Sequence, residues 1–193
     1  MLSSRFEAAL GYATRLHATQ QRKGTTIPMV AHLLAVAALA LEHGADEDEA
    51  IAALLHDAAE DQGGAATLAQ IRSRFGVRIA DIVEGCSDTL VLPKPPWQER
   101  KESYLRHLRL ASQSVLLVSA CDKLHNARAI LSDYRAVGES LWSRFNGGRR
   151  GTLWYYRAVL GAYVDAGFQS PLVEELERVV AELERLAGVQ RAA

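Results

Sequence analysis

Cysteine is scarce in this chain, and its two copies, Cys86 and Cys121, lie far apart in no Cys-x-x-Cys spacing. That excludes all-thiolate metal chemistry and favours free, mostly buried thiols in a reducing compartment. An excess of charge of either sign is also missing. With 22 Lys and Arg against 23 Asp and Glu, the net charge is −1, so the broad electrostatic footprint needed for duplex nucleic acid is absent, although local basic patches are still open. The longest apolar run, Val115 to Cys121 broken by Ser119, is far too short to span a bilayer. The start, Met1-Leu2-Ser3-Ser4-Arg5-Phe6-Glu7, has no charged leader followed by an apolar segment, which argues against secretion. A cytoplasmic protein without membrane association is expected. No stretch sustains the two-residue alternation of a half-buried strand, and that excludes a sheet-based fold.

What is present is helical periodicity nearly everywhere. The 193 residues, 49% hydrophobic and 23% charged, describe an ordinary globule with enough chain for a real core. Ser4 with Glu7 has capping-box spacing and opens a first helix running to about Gln21. The loop Arg22-Lys23-Gly24-Thr25-Thr26-Ile27-Pro28 follows, then a helix from about Met29 to His43, closed by Gly44. Asp46 with Glu49 starts a third helix that Gly63-Gly64 ends. Thr67 with Gln70 starts a fourth, stopping near Phe75-Gly76, and a fifth covers about Val77 to Cys86. Three of the five prolines fall between Leu90 and Pro96, which must be a loop. Trp97 to about Leu110 is charged and amphipathic, whereas Ser112 to about Asp133 begins apolar all round, as a central helix does. An aromatic helix spans Leu153 to Ala166, and Ser170-Pro171 introduces a last amphipathic helix to about Leu186. The expectation is an all-α fold of nine or ten helices in one domain over 1–193, with a motif-bearing core over about 4–166 and a covering helix over about 170–187.

The chemistry concentrates in Ala53-Leu54-Leu55-His56-Asp57-Ala58-Ala59-Glu60-Asp61. On a continuous helix Asp57, Glu60 and Asp61 share one face with His56 at its edge. Carboxylates stacked four residues apart repel, and a divalent cation removes that conflict. Two other segments carry groups that make poor sense alone, His32 and Asp122, the latter at the end of an apolar helix where a charge needs a partner. Together His32, His56, Asp57 and Asp122 form a mixed nitrogen and oxygen set suited to manganese, iron or zinc.

The order His…His-Asp…Asp on helices resembles the HD-domain metal-dependent phosphohydrolases. More narrowly, the chain resembles the hydrolase domain of the RelA/SpoT family, above all its single-domain members, the small alarmone hydrolases and the metazoan SpoT homologue. The resemblance rests on His17-x-x-Gln20-x-Arg22-Lys23-Gly24, Pro28-x-x-x-His32, the HDxxED stretch at His56 to Asp61, Phe75-Gly76, Ser87-Asp88 and Asp122-Lys123-Leu124-x-Asn126, all in order between Ala9 and about Arg128. It implies a metal, usually manganese, held by His32, His56, Asp57 and Asp122, with Glu60 and Asp61 positioning or deprotonating the attacking water. It implies a substrate, guanosine tetra- or pentaphosphate, cleaved at the 3′ position to pyrophosphate and GDP or GTP. Arg22 and Lys23 match residues lining the nucleotide site, and Asn126, four residues after Asp122, faces the same side of its helix and can reach the ribose or base.

Other candidates receive plainer readings. His17 is read as a structural hydrogen-bonding residue, His43 as a cation near a helix C-terminus, His107 as surface and His125 as without a role. Lys123 points about 100° away from Asp122 and is read as pairing with an acid elsewhere. Tyr155 and Tyr156 are read as core, although one could wall the nucleotide pocket. Many relatives have Tyr where Met29 stands and Thr where Gln62 and Ser87 stand, and Met29 leaves base selectivity open. Two further functions are therefore carried: a hydrolase of another phosphorylated nucleotide such as NADPH, and a non-hydrolysing alarmone sensor. With no synthetase domain after the hydrolase region, the chain is expected to degrade alarmone and not to make it. Metal identity, oligomeric state and the role of the loop at 90–96 stay open.

Overall fold

Helical periodicity resolves into ten α-helices and one 3-10 helix in the computed structural model, which describes residues 1–91 and 93–188. Leu92, inside the expected loop, and the last five residues of the expected domain lie outside the described residues. The order is α1 (Ser4–Leu16), α2 (Met29–Glu42), α3 (Glu47–Leu55), α4 (Ala58–Asp61), α5 (Gly64–Phe75), α6 (Val77–Cys86), α7 (Trp97–Leu108), α8 (Gln113–Val137), the 3-10 helix (Gly138–Arg144), α9 (Gly148–Asp165) and α10 (Pro171–Leu186). Among the described residues there is no strand, only an isolated bridge between Gln21 and Pro28. No helix among them is long and apolar enough to cross a membrane.

The centre is α8, against which α2, α3, α6, α9 and α10 pack. Its first half is apolar on all sides because it is surrounded: Leu116, Val118, Ala120 and Cys121 are fully buried. On α3, every residue from Ala50 to Leu55 is buried, and its start is held by a capping box in which Asp46 and Glu49 exchange bonds of 2.9 Å. Burying one such leucine contributes about 1.5–3 kcal/mol, so the body of α3 anchors it more than its capped start does. Ser170 caps α10, Pro171 occupies its first turn, and Leu172, Leu176, Val179, Val180 and Leu183 form the stripe that lies on the core.

Several boundaries differ from the sequence reading, each for a local reason. The cap of α1 is Ser3, which accepts from the Arg5 N–H, and not Ser4. Helix α1 stops at Leu16 instead of Gln21, because Met29 N–H donates to Gln20 O and Arg22 N–H to Ile27 O, which requires extended chain there. Gly24, at φ 71°, lets the loop between them turn tightly. The fourth expected helix begins at Gly64, and Thr67 donates its hydroxyl to Gln62 O instead of capping. Helix α8 continues to Val137, and α9 starts at Gly148, earlier than Leu153.

The difference that matters most lies at His56 and Asp57. The expected third helix is broken there: α3 ends at Leu55, Asp57 sits at φ −91° and ψ −6°, and Ala58–Asp61 makes a single separate turn. Asp57 caps that turn, its carbonyl accepting from the Asp61 N–H at 3.0 Å, so the three acids still line one cleft even though the helix before them ends.

Candidate metal centre

The break between α3 and α4 turns the Asp57 carboxylate towards α2 and α8. Asp57 Oδ2 lies 3.2 Å from His56 Nε2 and 3.5 Å from His32 Nε2. Asp122 Oδ1, from α8, lies 3.1 Å from His32 Nε2 and 3.5 Å from His56 Nε2, and the two imidazole nitrogens are 3.2 Å apart. His32, His56 and Asp57 offer ligand atoms that all fall within 4.8 Å of one another. Two imidazoles and two carboxylates thus converge from two helices, α2 and α8, and the junction between α3 and α4. Bonds of about 2.0–2.2 Å to a cation place neighbouring ligands roughly 3.0–3.5 Å apart, which is the spacing found here.

Proton bookkeeping supports the same reading. His56 Nδ1 is 2.8 Å from Ala53 O, and a carbonyl only accepts, so Nδ1 carries hydrogen and Nε2 is free to ligate. Burial works to lower the His56 pKa, but the charges of Asp57 and Asp122 outweigh it and raise it well above its ordinary value. Burial likewise works to raise Asp122, yet Lys123 and hydrogen bonds from both histidines hold it well below the carboxylate range. The four groups are arranged to share a positive charge, and a divalent cation meets that requirement without a proton.

The centre opens into a cleft of about 680 Å³ whose walls include His32, Asp57, Glu60 and Asp61. Six cationic side chains also line it, Arg22, Lys23, Lys94, Arg100, Lys101 and Lys123, in a chain whose net charge is only −1. The volume falls in the range of small-molecule sites, and the local charge suits an anion. A more open groove of about 480 Å³, walled by Arg149, Trp154 and Glu184, shares none of these groups.

Glu60 and Asp61, on the single turn of α4, face this cleft differently. Glu60 Oε2 accepts from the Asp88 N–H at 3.2 Å, while Oε1 is 3.0 Å from Lys94 Nζ and 3.8 Å from Arg100. Burial, joined by the charges of Asp88 and Asp57, raises its pKa against the opposing pull of Lys101 and Lys94. Asp61 accepts from Gln20 Nε2 at 2.8 Å and lies 3.4 Å from Lys94. Across the cleft, Arg22 Nη2 donates to Asn126 Oδ1 at 2.7 Å, and Asn126 Nδ2 donates to Asp122 Oδ1 at 2.5 Å. Lys23 donates to Asn146 Oδ1 at 3.2 Å.

A family model for the HD domain matches residues 9–153, three quarters of the chain and all of these groups. The chain belongs to the HD-domain family. It is 37% identical over 123 residues to the guanosine-3′,5′-bis(diphosphate) 3′-pyrophosphohydrolase of Xenopus tropicalis, a match covering 62% of this chain and 66% of that protein. It is 35% identical over 127 residues to the enzyme of the same description from Aquifex aeolicus, covering 64% of this chain and 17% of that one. The matched region therefore spans just under two thirds of the frog protein and about a sixth of the bacterial one. Among solved structures, a metazoan orthologue of SpoT that hydrolyses ppGpp shares the fold, with a TM-score of 0.79, 24% identity, and coverage of 98% of this chain and 99% of that one. A protein of Listeria monocytogenes matches with a TM-score of 0.70 and 29% identity, over 80% of this chain and 99% of its own.

The HD-domain site also contains residues that sequence reasoning passed over. His125, read as without a role, places Nδ1 2.7 Å from His32 Nδ1. Its signal was available, since it lies three residues after Asp122 on the same helix. Lys123 does not pair with a distant acid; it reaches Asp122 itself, bending back over the Tyr104 ring at 5.1 Å. Asp88, nearly fully buried, holds Arg100 and Lys101 at the cleft wall. Tyr155 and Tyr156 are buried as read, and both also line the cleft. The remaining readings stand in simple positions: His107 is exposed, and His43 contacts Leu39 O at the end of α2.

Proposed function

We propose that this chain is a divalent-metal-dependent hydrolase of guanosine 3′,5′-bis(diphosphate), releasing pyrophosphate from the 3′ position and leaving GDP, or GTP from the pentaphosphate. The observation that carries the reading is the junction of two features: a centre of two imidazoles and two carboxylates, opening directly into a cleft lined by six cations. Tight anionic ligands with a phosphoester at their middle are what such a combination suits. The 3′-pyrophosphohydrolases of Xenopus and Aquifex among its relatives support the choice of substrate.

His32, His56, Asp57 and Asp122 would hold the cation, most simply manganese given a mixed nitrogen and oxygen set. A divalent cation there supplies positive charge that polarises a phosphoryl oxygen and acidifies water. The protein's own groups do the rest. Glu60, with its raised pKa, accepts the proton of the attacking water, and Asp61 orients that water beside it. Arg22, aligned by Asn126, is placed to stack on the base or fork onto phosphate, with Lys23 beside it. Lys94, Arg100 and Lys101 offset charge on the leaving pyrophosphate. The alternative nucleotide, NADPH, has one specific feature in its favour: Met29, buried at 6% exposure, lines the cleft wall. The reaction is assigned to the cytoplasm.

Incubating metal-stripped protein with guanosine tetraphosphate, with and without manganese, tests the proposal. GDP and pyrophosphate are expected only with metal and only with Asp57 intact. Equal turnover by Asp57→Ala, or no product from the wild type, overturns it; phosphate release from NADPH in the same assay would move the substrate to the second nucleotide.

A further inference from the structure

Asp61 stands on a single helical turn, and a turn that short does not by itself hold a carboxylate in one orientation. Two side chains reach it: Lys94 lies 3.4 Å from Oδ1, and the closer contact, on Oδ2, comes from the segment after α1. Gln20 Nε2 donates to Asp61 Oδ2 at 2.8 Å. Which way the Gln20 amide faces is not arbitrary. His17 Nδ1 lies 2.7 Å from Gln20 Oε1, and Gln62 Nε2 donates to the same oxygen. The Asp61 carboxylate only accepts, so the Gln20 NH₂ group faces it and the amide oxygen faces Gln62 and His17. The same logic fixes the His17 tautomer, with hydrogen on Nδ1.

His17 is 2% exposed, and its Nε2 is buried with no partner among the described residues. Burying an imidazole with one nitrogen unpaired costs desolvation that leucine or phenylalanine would avoid. What the ring supplies that those cannot is the Nδ1–H to Gln20. The contact therefore has a use beyond filling space at the end of α1.

We infer that Gln20, locked in orientation by His17, is a positioning residue for Asp61, acting through it and not on substrate or metal. The inference rests on the proposed hydrolase reading, in which Asp61 orients the attacking water. Its consequence is a particular kinetic pattern. Removing Gln20 releases Asp61 Oδ2, leaving the carboxylate held only by the longer Lys94 contact on Oδ1, while His32, His56, Asp57 and Asp122 are untouched, so kcat falls and the affinities do not. Gln20→Glu keeps the shape and replaces the donor with a second carboxylate beside Asp61.

The test measures kcat, KM, manganese affinity by titration and thermal stability for wild type, Gln20→Ala, Gln20→Glu and His17→Phe, with guanosine tetraphosphate as substrate. Both Gln20 variants should lose about 10- to 100-fold in kcat, Gln20→Glu the more, with KM and manganese affinity close to wild type. His17→Phe, which refills the buried volume, should lose kcat in the same direction by less. Wild-type kcat in Gln20→Ala overturns the inference and leaves the hydrolase reading standing, as does a loss that appears in manganese affinity or in melting temperature instead of kcat. A wild-type chain without turnover overturns the hydrolase reading, and the catalytic role of Gln20 with it.

Discussion

The Nδ1 atoms of His32 and His125 lie 2.7 Å apart, so one must donate and the other accept. If His32 ligates through Nε2, which faces His56 and Asp122, its hydrogen sits on Nδ1 and His125 must accept. The His125 ring supports that assignment: burial, followed by the charges of His32 and Arg22, lowers its pKa to about 4, so it is neutral at physiological pH. Metal-bound histidines are commonly oriented by a carboxylate or carbonyl on their second nitrogen; here an imidazole takes that place. His125→Leu should weaken manganese or cobalt binding by about 10- to 100-fold. His125→Asn, which can still accept, should retain part of it. A metal titration reads the difference directly, and unchanged affinity in the leucine variant would remove His125 from the centre.

The elevated Glu60 pKa makes a pH prediction with a definite sign. Burial comes first among its causes, then Asp88 and Asp57. Activity should rise with pH as Glu60 loses its proton, with a midpoint above the ordinary glutamate value of about 4.3. Asp88→Asn removes a like charge and releases Arg100 and Lys101 from their pairing, and both effects lower the Glu60 pKa. The acid limb of the kcat profile should move to lower pH in that variant. A limb that moves upward or stays in place would show that a different group is the proton acceptor.

Elements with local chemistry were readable in the sequence: the Asp46 and Glu49 capping box, Ser170-Pro171 before α10, and the apolar start of α8 all depend on neighbours within four residues. The convergence of His32, His56, Asp57 and Asp122 was anticipated from donor types, although the break that aims Asp57 was not, because periodicity continues through it while the backbone does not. Lys94, Arg100 and Lys101 carry no sequence signal for the site. They reach Glu60 and Asp88 only because the chain after α6 returns across α4, a long-range event. Lys123 was misdirected by treating its side chain as a fixed radial vector; a four-carbon stem can turn back to the adjacent residue.

Trp97 walls the cleft from the first turn of α7, and it does so by resting on α9 where side chains are absent. A Cβ at Gly147 would lie 2.7 Å from the indole ring, and one at Gly151 3.1 Å. Gly147 has φ −80°, so alanine meets no backbone penalty there and only the indole objects. Gly147→Ala should cost about 1–3 kcal/mol through overpacking. It should also displace Trp97 towards the cleft and raise KM, with Gly151→Ala milder in both respects. Thermal melts and tryptophan fluorescence follow the two effects separately; an unshifted melt in Gly147→Ala would mean that α7 moves freely against α9.

Lys123 rests on Asp122 Oδ2 while Oδ1 faces His32 and His56, so in the proposed centre the lysine and a cation would bear on one carboxylate from its two oxygens. Lys123 pairs with Asp122 at 12% side-chain exposure, so its charge offsets Asp122 when no cation does. Burial works to lower its pKa, but Asp122 dominates with help from the surrounding tyrosines and raises it, so the lysine stays charged. Lys123→Met keeps the stem over Tyr104 and deletes the charge. Breaking a buried pair by removing one partner costs about 3 kcal/mol, so the metal-free variant should melt roughly 6–12 °C below wild type. Manganese should then recover more stability in the variant than in wild type, because a cation binding Asp122 no longer meets a neighbouring positive charge and binds more tightly. The measurement is a melting curve at increasing manganese for both proteins. If Lys123→Met instead weakens manganese binding, Lys123 orients Asp122 for the metal and does not compete with it.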